Sequence, residues 1–312
     1  MISGGSKYSL TDTEFEVLQL ILTQGEQSIF KIREVLNDIP RAKINNAINQ
    51  LINNNLVNQA NNKVVATPKA LSALEPYRVK RAIILAAGRG ERLAPESDKL
   101  PKPMVKVHKK RLIETQLDAL GSAGIEDITI VRGYKGEAFD QLLDKYPHLK
   151  FVDNPDWEST TGLFSAALAV DLLSSAYLIE GDLFISNNRV LRPYEYRSTY
   201  CGTVGAVKND WYFTVSDSSQ IQALAYGEST RVDYKFVGIM YWDTDAAEQL
   251  KIDLQKVLNE HENKYQFVES VPFHPKSGTY SIFSRRIQDG DVTEIDHIYE
   301  LESLRAKKKI DQ

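Results

Sequence analysis

Cysteine is almost absent from this chain of 312 residues, because Cys201 is the only one. A single thiol excludes an internal disulfide and a metal cluster held by several cysteines, and it fits a reducing compartment. Long apolar runs are also missing, since none approaches the roughly 20 residues that a membrane-spanning helix needs. The amino terminus, residues 1–5, has no charged and apolar leader. We therefore expect a cytoplasmic protein without a membrane segment.

Neither sign of charge is in large excess. The chain carries 38 Lys and Arg against 42 Asp and Glu, which gives a net charge of -4. This balance argues against a surface that binds polyanions over most of its extent, so any contact with nucleic acid must be local. Hydrophobic residues make up 42% of the chain. That content is ample for a packed core, and the length predicts one medium and one small domain.

The two best-known phosphate loops are missing as well. A Walker loop needs two glycines separated by four residues and then Lys and Ser or Thr, and no such run occurs. A dinucleotide fingerprint needs a third glycine where Leu93 stands. The chain has instead a distinctive run between residues 82 and 107, with the sequence AIILAAGRGERLAPESDKLPKPMVKV.

This run combines a buried strand, a glycine turn and fixed cations. Residues 82–87 are apolar without alternation, which is typical of a strand covered on both faces. Gly88 and Gly90 follow, and glycines at such a turn let backbone N–H groups come close to an anion. Arg92 and Lys102 add positive charge, and prolines flank Lys102 on both sides. The run therefore predicts a site for a nucleoside triphosphate.

The same run resembles the signature of nucleotidyltransferases that join a nucleoside triphosphate to a phosphorylated acceptor. This family holds sugar-1-phosphate nucleotidylyltransferases and bacterial choline-phosphate cytidylyltransferases. The resemblance continues at residues 125–135, 177–182 and 294–296, and it covers roughly Arg81 to the C-terminus. It implies a Mg²⁺ ion held by Asp182 and Asp296, which suits the hard oxygen ligands that this ion prefers. It also implies that Lys102 and Arg92 are catalytic cations. The nucleotide-binding loop that it implies consists of Leu85, Ala86, Ala87, Gly88, Arg89 and Gly90.

Strand-like and helix-like patterns alternate after residue 80, with helices expected near 111–123, 137–145 and 162–173. This alternation predicts an α/β fold, a mostly parallel and doubly wound sheet like that of nucleotide-diphospho-sugar transferases. Before it, apolar residues at helical spacing predict three amphipathic helices, and a hairpin turning near Asn61 follows. These elements resemble a winged helix-turn-helix domain. We expect that domain at residues 1–72, a linker at 73–80 and the nucleotidyltransferase domain at 81–312.

The third N-terminal helix carries polar side chains away from its apolar stripe, namely Lys43, Asn46, Asn49, Gln50 and Asn53. Amide side chains can pair with adenine edges, which makes DNA one candidate partner. The same residues are equally typical of a solvated helix. Residues 1–70 contain seven Lys or Arg against six Asp or Glu, a poor electrostatic footprint for phosphate. A protein contact or dimerisation is the alternative.

The segments at 208–211, 237–242 and 265–267 resemble the acceptor half of choline-phosphate cytidylyltransferases. By that resemblance Trp211 and Tyr265 are candidates for an aromatic cage around a quaternary ammonium, with Asp210 or Glu269 as counter-charge. Trp242 stands inside an apolar strand and is expected in the core. Gln266 stands where the choline enzymes carry another aromatic residue, which leaves acceptors with a primary ammonium group open.

We therefore expect a Mg²⁺-dependent enzyme that transfers a cytidylyl group from CTP to phosphocholine and gives CDP-choline and pyrophosphate. The alternative acceptors are 2-aminoethylphosphonate and phosphoethanolamine. A sugar-1-phosphate nucleotidylyltransferase is a second alternative, and polar residues that read sugar hydroxyls would favour it. A metabolite-sensing, DNA-binding regulator is the least favoured, since such a protein would not need the carboxylates of Asp182 and Asp296.

Overall fold

The computed structural model describes residues 8–259 and 267–306. The chain divides into two compact units. The first unit contains the chain up to Arg78 together with Tyr194–Tyr196, and the second contains Val79–Pro193 and the chain from Arg197 onward. Within the described ranges, no helix has both the length and the apolar character needed to cross a membrane.

Within the described residues, the first unit contains four α-helices, one 3₁₀ turn and a three-stranded antiparallel sheet, in which the last strand along the chain lies between the other two. Its elements are α1 (Asp12–Gln24), β1 (Gln27–Ser28), α2 (Ile29–Val35), α3 (Arg41–Asn53), β2 (Val57–Ala60), β3 (Lys63–Ala66) and α4 (Pro68–Leu74). The helix α1 begins at a capping box, in which Thr11 and Glu14 satisfy each other's backbone N–H groups. The strands β2 and β3 are joined by Asn61 and Asn62, both at positive φ. Asparagine tolerates this conformation, which a two-residue hairpin turn requires.

The core of this unit is built where the apolar spacing predicts helices. Phe15, Ile32, Ile44 and Leu51 have no solvent exposure, and they bring α1, α2 and α3 together around one cluster. This burial, rather than intrinsic propensity, provides most of the stability of such short helices.

Residues 73–80, predicted to be a linker, are largely helical. Ala73 and Leu74 end α4, and a 3₁₀ turn follows at Glu75–Tyr77. Leu74 is fully buried, and the Tyr77 ring lies 5.2 Å from that of Phe15. Pro76 does not interrupt this segment, because it occupies the first turn of the 3₁₀ helix, where its missing N–H has no helical partner to lose.

The second unit is built on a seven-stranded sheet. The strands described in the second unit, seven of which form this sheet, are β4 (Arg81–Ala86), β5 (Lys106–Val107), β6 (Lys110–Arg111), β7 (Ile128–Arg132), β8 (Lys150–Asp153), β9 (Ala176–Glu180), β10 (Leu183–Ile185), β11 (Thr199–Val215), β12 (Ile221–Trp242), β13 (Phe283–Arg286) and β14 (Val292–Glu294). Its α-helices are α5 (Glu96–Lys99), α6 (Leu112–Ser122), α7 (Gly162–Leu168), α8 (Thr244–Leu258) and α9 (Ile298–Ala306). Its 3₁₀ segments are Glu91–Leu93, Lys102–Met104, Gly136–Asp144, Val170–Leu172, Asn188–Val190 and Val268–Phe273.

The large sheet has the order β13-β11-β12-β9-β4-β7-β8. The strands β9, β4, β7 and β8 are parallel to one another, whereas β12 runs antiparallel to both β9 and β11. The predicted α/β fold is therefore confirmed, and the sheet is mixed because the long hairpin β11–β12 is inserted beside the parallel strands. A separate short pair joins β10 to β14, with Leu183 opposite Glu294.

Two predicted helices differ in type from the structure. The segment Gly136–Asp144 is 3₁₀ rather than α-helical, and its buried residues are Gly136, Phe139 and Leu142. Burial at every third position suits a helix of three residues per turn, so one face of the 3₁₀ helix contacts the core. The helix expected at 162–173 is interrupted at Ala169, whose backbone leaves helical geometry, and it continues as a 3₁₀ turn.

The sheet has an apolar cluster on each face. Neighbouring residues of β4 belong to different clusters, with Ile83 in one and Ile84 in the other. A strand that is covered on both faces is apolar without alternation, as the sequence of β4 is. Trp242 at the end of β12 is fully buried, as expected. Because β4 and β9 are parallel neighbours, their carboxyl ends meet at one edge, with Leu85 beside Glu180.

Candidate active site

The loop after β4 is shaped by glycines that allow close packing. Gly90 has a φ of +68°, and a Cβ atom there would lie only 2.7 Å from Cβ of Lys102. Gly181, just after β9, donates its N–H to the carbonyl of Leu85 at 2.9 Å. A Cβ at Gly181 would lie 2.6 Å from that same oxygen. The two glycines therefore let Lys102 and the residue after Gly181 approach the end of β4.

Lys102 is the centre of a charged group at this edge. Lys102 is only 8% exposed, and its Nζ lies 2.8 Å from Oδ2 of Asp182 and 2.8 Å from Oδ1 of Asp296. Arg92 donates to the same oxygen of Asp296 at 2.9 Å. The structure thus brings together the four residues predicted as catalytic cations and metal carboxylates, although they come from four separate segments. Their roles stay predictions.

The pKa values of this group reflect mutual stabilisation of opposite charges. Burial disfavours the charged form of Lys102, but the carboxylates of Asp182 and Asp296 outweigh that effect and raise the pKa of its ammonium group. Burial also opposes ionisation of Asp296, yet Lys102 and Arg92 hold the pKa of that carboxyl below its usual range. Both partners therefore stay charged at neutral pH.

Two further acids, neither of them predicted to be a metal ligand, adjoin this group. Carboxylate oxygens of Glu180, Asp182 and Glu294 lie within 4.8 Å of one another. Their sequence signal is the spacing, since Glu180 precedes Asp182 by two residues and Glu294 precedes Asp296 by two. Backbone hydrogen bonds hold both triplets in place, because Gly181 donates to the carbonyl of Leu85 and Ile295 donates to the carbonyl of Asp182. Each Glu therefore belongs to the same edge as the Asp that follows it.

Burial and crowding of carboxylates raise the pKa values of both glutamates in the acidic cluster, which consists of Glu180, Asp182 and Glu294. Burial and the neighbouring carboxylates, Glu269 foremost, raise the pKa of Glu180 well above its ordinary value. Burial together with the charges of Asp182 and Asp296 raises the pKa of Glu294 to about 8. In addition, Oδ1 of Asp182 is buried and has no hydrogen-bond partner among the described residues. A buried, unpaired carboxylate oxygen beside other carboxylates fits a divalent cation, which prefers oxygen ligands.

Of the predicted acceptor residues, Trp211 belongs to an aromatic cluster that it forms with Tyr226 and Phe267. The ring of Trp211 packs edge-on against Tyr226 at 5.5 Å and against Phe267 at 5.6 Å between centroids. Tyr226 and Phe267 are 63% and 45% exposed. Neither belongs to the predicted cage, and Tyr226 joins it because the hairpin register places it opposite Trp211. Tyr265 and Gln266 lie outside the described residues.

The two predicted counter-charges differ in their surroundings. Asp210 forms an ion pair with Lys235 at 2.6 Å and accepts a hydrogen bond from the backbone N–H of Trp211 at 2.7 Å. Glu269 is only 2% exposed, and burial raises its pKa to about 7. Its charge in turn raises the pKa of Glu180. Glu269 thus acts on the acidic cluster and follows Phe267 of the aromatic cluster by two residues.

Comparison with known proteins shows the family to which the chain belongs. The family model described as Nucleotidyl transferase matches residues 81–198. The chain is 34% identical over 193 residues to a 2-aminoethylphosphonate cytidylyltransferase of Lancefieldella rimae, an alignment that covers 61% of this chain and 78% of the relative. It is 30% identical over 237 residues to a choline-phosphate cytidylyltransferase of Streptococcus pneumoniae, covering 74% of this chain and 97% of the relative.

The solved structure of CTP:phosphocholine cytidylyltransferase (LicC) from Streptococcus pneumoniae is similar to this chain with a TM-score of 0.67 and 29% identity. The match covers 73% of this chain and 98% of that one. It agrees with the fold described above and with the family that the run at residues 82–107 predicts. The chain therefore belongs to the nucleotidyl transferase family and is a nucleotidyltransferase.

Proposed function

We propose that the second unit transfers a cytidylyl group from CTP to phosphocholine, giving CDP-choline and pyrophosphate. The observation that carries this proposal is the juxtaposition of two features. A cationic and acidic group around Lys102 can hold a metal-bound triphosphate. The buried carboxylate of Glu269 acts on Glu180 of this group and follows Phe267, a member of an aromatic cluster that suits an ammonium group, by two residues. The cytosine base and the amine acceptor are further supported by the relatives, which are named as cytidylyltransferases with amine-bearing acceptors.

In the proposed reaction a phosphate oxygen of the acceptor attacks the α-phosphorus of CTP. The bond from that phosphorus to the oxygen bridging the α- and β-phosphates breaks, and pyrophosphate leaves with the electron pair. The attacking oxygen is already ionised at neutral pH, so no side chain needs to remove a proton. Catalysis then depends on positioning and on neutralising the charge of the phosphate oxygens.

Lys102 and Arg92 are the side chains that we assign to this neutralisation. Lys102 is buried, and the two carboxylates hold its charge, whereas the Arg92 side chain is 62% exposed and can move toward a ligand. Backbone N–H groups of the loop at residues 85–90 are proposed to bind the phosphates. Arg89 forms two long ion pairs of 3.4 Å with Glu91 and Asp98, and its guanidinium lies 5.7 Å from the centroid of the Tyr134 ring. Because such exposed pairs contribute little, a triphosphate can displace them at small cost.

The carboxylates of Asp182 and Asp296, with Glu180 and Glu294 beside them, are the groups that would hold a divalent cation, for which we propose Mg²⁺. When bound, this ion supplies positive charge to the phosphate oxygens of the nucleotide. Mg²⁺ is usually bound by one or two carboxylates together with substrate phosphates. The remaining acids would then adjoin the acceptor side.

We assign the ammonium end of the acceptor to Trp211 and Phe267. A quaternary ammonium cannot donate hydrogen bonds, so aromatic faces and a nearby carboxylate are the groups that stabilise it. Glu269 suits the counter-charge better than Asp210, because the carboxylate of Asp210 is already paired with Lys235.

A second acceptor, 2-aminoethylphosphonate, is favoured by one specific observation. Glu180, Glu269 and Glu294 are three acids with raised pKa values in one region, and a primary ammonium group can donate hydrogen bonds to several carboxylates at once. The relative named for this acceptor is 34% identical. The two acceptors differ chemically in hydrogen-bond donors, and a direct comparison of rates separates them.

The test is an acceptor and nucleotide panel. Full-length protein with Mg²⁺ is given CTP, UTP, GTP or ATP, each with phosphocholine, 2-aminoethylphosphonate, phosphoethanolamine or glucose-1-phosphate, and pyrophosphate release is followed. We expect CTP with phosphocholine to give the highest kcat/KM, and EDTA to abolish it. A higher kcat/KM with 2-aminoethylphosphonate would identify that compound, and not phosphocholine, as the acceptor. A preference for glucose-1-phosphate would refute the proposal.

A further inference from the structure

We propose that the first unit binds duplex DNA through the exposed side of α3, which we call the amide face and which consists of Arg41, Lys43, Asn46, Asn49, Gln50 and Asn53. All six residues are exposed. This inference concerns a different unit from the transferase site and does not rest on the proposed reaction.

Charge in the first unit is segregated rather than mixed. The segment from Ile39 to Leu74, which includes α3, β2, β3 and α4, contains no Asp or Glu. Its basic residues are Arg41, Lys43, Lys63 and Lys69. The acids of the unit lie outside this segment, at Asp12, Glu14, Glu16, Glu26, Glu34, Asp38, Glu75 and the buried Glu195. Although the whole unit is nearly balanced in charge, the segment that includes α3 carries no acidic side chain that would repel phosphate.

The cations of the amide face are available to a ligand. Lys63 is paired with Glu26 at 2.7 Å, so it does not contribute a net charge. Arg41 and Lys43, in contrast, make no ion pair within residues 8–259 and 267–306. They stand in the first turn of α3, where acidic residues are absent and where the N-cap residue Pro40 provides no side-chain hydrogen bond.

That placement is unfavourable for the helix by itself. The amino end of a helix carries partial positive charge, so acidic side chains are favoured there and basic ones are not. An anion near Arg41 and Lys43 reverses the sign of the interaction, because the helix end and both side chains then attract it. A DNA phosphate is an anion of this kind.

The rest of the amide face has the residue types and spacing for base recognition. Asn46, Asn49, Gln50 and Asn53 follow the i, i+3, i+4, i+7 spacing of one helix face, opposite the buried stripe of Ile44, Ala47, Ile48 and Leu51. Asparagine is a poor helix former, so helix stability does not explain its use at three of these positions. Carboxamides can pair with the adenine edge in the major groove, which is wide enough for an α-helix. The centre of a protein interface, by contrast, is apolar.

Neighbouring elements hold α3 in a geometry suited to a groove. Arg33 of α2 donates to Oδ1 of Asn45 at 2.6 Å, which fixes α2 against α3. In helix-turn-helix proteins the second helix enters the major groove while the first crosses the backbone. The hairpin β2–β3 packs beside α3, and its turn residues Asn61 and Asn62 are exposed. They lie where a second contact to the duplex can form.

The test uses the full-length protein and a fluorescein-labelled, mixed-sequence duplex of about two helical turns, roughly 20 base pairs. Binding is measured by fluorescence anisotropy at a series of salt concentrations. We expect the logarithm of the binding constant to fall linearly with that of the salt concentration. The slope of this log–log plot should become less steep by about 2 in the double variant Arg41→Ala/Lys43→Ala, because about one counterion is released for each phosphate that a cation neutralises.

The matched control is Lys106→Ala/Lys109→Ala, which removes the same charge from two exposed residues of the second unit that form no ion pair within the described residues, and it should bind DNA like the unaltered protein. Pyrophosphate release reports that both variants are folded. Absence of salt-dependent binding by the unaltered protein would overturn the proposal, as would equal binding by the two double variants. A change of oligomeric state in Arg41→Ala/Lys43→Ala, measured by light scattering, without a change in DNA binding would identify a protein interface instead.

Discussion

The ammonium group of Lys102 lies 2.8 Å from the carboxylate of Asp182, across 80 positions of sequence. The same ammonium lies 2.8 Å from Asp296. One buried cation thus holds together two carboxylates that would otherwise repel each other. Lys102 therefore has two separable effects, since it organises the acids before ligands arrive and carries positive charge toward a bound triphosphate.

Replacing Lys102 with Met should separate these effects. The variant keeps the length of the side chain and loses its charge, so we expect kcat to fall by about 10²- to 10³-fold, the scale of losing one preorganised electrostatic contact. Steady-state pyrophosphate release measures this, and thermal unfolding measures any loss of stability. Lys106→Met, at an exposed position nearby, is the matched control and should leave kcat unchanged. A Lys102→Met enzyme of near-normal activity would disprove the assignment.

Asp182→Asn should weaken binding of a divalent ion. The substitution removes one charge and keeps the shape, and the residue has a buried oxygen without a hydrogen-bond partner in the described structure. We expect Mn²⁺ affinity, measured by electron paramagnetic resonance in the presence of CTP, to fall by more than the roughly 10- to 100-fold typical of losing an outer-shell partner. Asp289→Asn, at an exposed site, should bind Mn²⁺ normally. Unchanged affinity in Asp182→Asn would place the ion elsewhere.

Gly90→Ala should impair turnover through Lys102. An added Cβ would lie 2.7 Å from Cβ of Lys102, and the φ of +68° disfavours any side chain. We expect kcat to fall and the free energy of unfolding to decrease by about 1 kcal/mol or more. Gly88→Ala is the comparison, because its Cβ would meet no described atom within 4 Å. Gly88→Ala should leave folding intact and raise the KM for CTP, and identical kinetic effects of the two variants would contradict this distinction.

Glu269 should make the metal-free protein less stable as pH rises. Burial raises the pKa of this carboxyl to about 7 from an ordinary value of 4.5. The folded state therefore binds its proton more tightly than the unfolded state, and this stabilisation is lost as pH rises from about 4.5 to about 7. We expect Glu269→Gln to remove a pH-dependent change on the order of 2 to 3 kcal/mol in urea unfolding. Glu248→Gln, on the exposed side of α8, should keep the full dependence, and equal slopes for both variants would contradict the prediction.

Trp211→Leu should affect the acceptor far more than the nucleotide. Loss of the aromatic face removes a cation–π contact, so the KM for phosphocholine should rise by roughly 5- to 30-fold. The KM for CTP serves as the internal control and should change little. Trp211→Phe, which keeps an aromatic ring, should restore much of the affinity. Parallel rises in both KM values would indicate a folding defect rather than a contact with the ammonium group.

The parallel half of the second unit could be predicted from sequence because its signals are local. The apolar run of β4 and the glycines after it lie in adjacent positions, and each following helix has its own periodic pattern. The 3₁₀ form of Gly136–Asp144 was not predictable in the same way, since it depends on which residues the core buries. The hairpin β11–β12 was also missed, because strand pairing is set by contacts between distant residues.

The residues of the candidate site could likewise be predicted from the sequence only in part. Asp182 and Asp296 could be named from their motifs, and the structure brings them to one lysine. Glu180 and Glu294 precede them by two residues, yet a sequence alone does not tell whether such a neighbour faces the site. Tyr226 could not be named at all, because only the register opposite Trp211 brings it into the aromatic cluster.

The pairing of β10 with β14 sets Leu183 opposite Glu294, and Ile295 donates to the carbonyl of Asp182 at 3.2 Å, so the two Glu-x-Asp triplets meet at one end of that short ladder. Inserting or deleting one residue at Gly181 or Ile295 would turn one acid of the triplet away from its companion. The turn between β11 and β12, by comparison, can change length without altering either triplet. Related chains should therefore vary freely in how many residues separate the two triplets and stay constant in the single residue inside each.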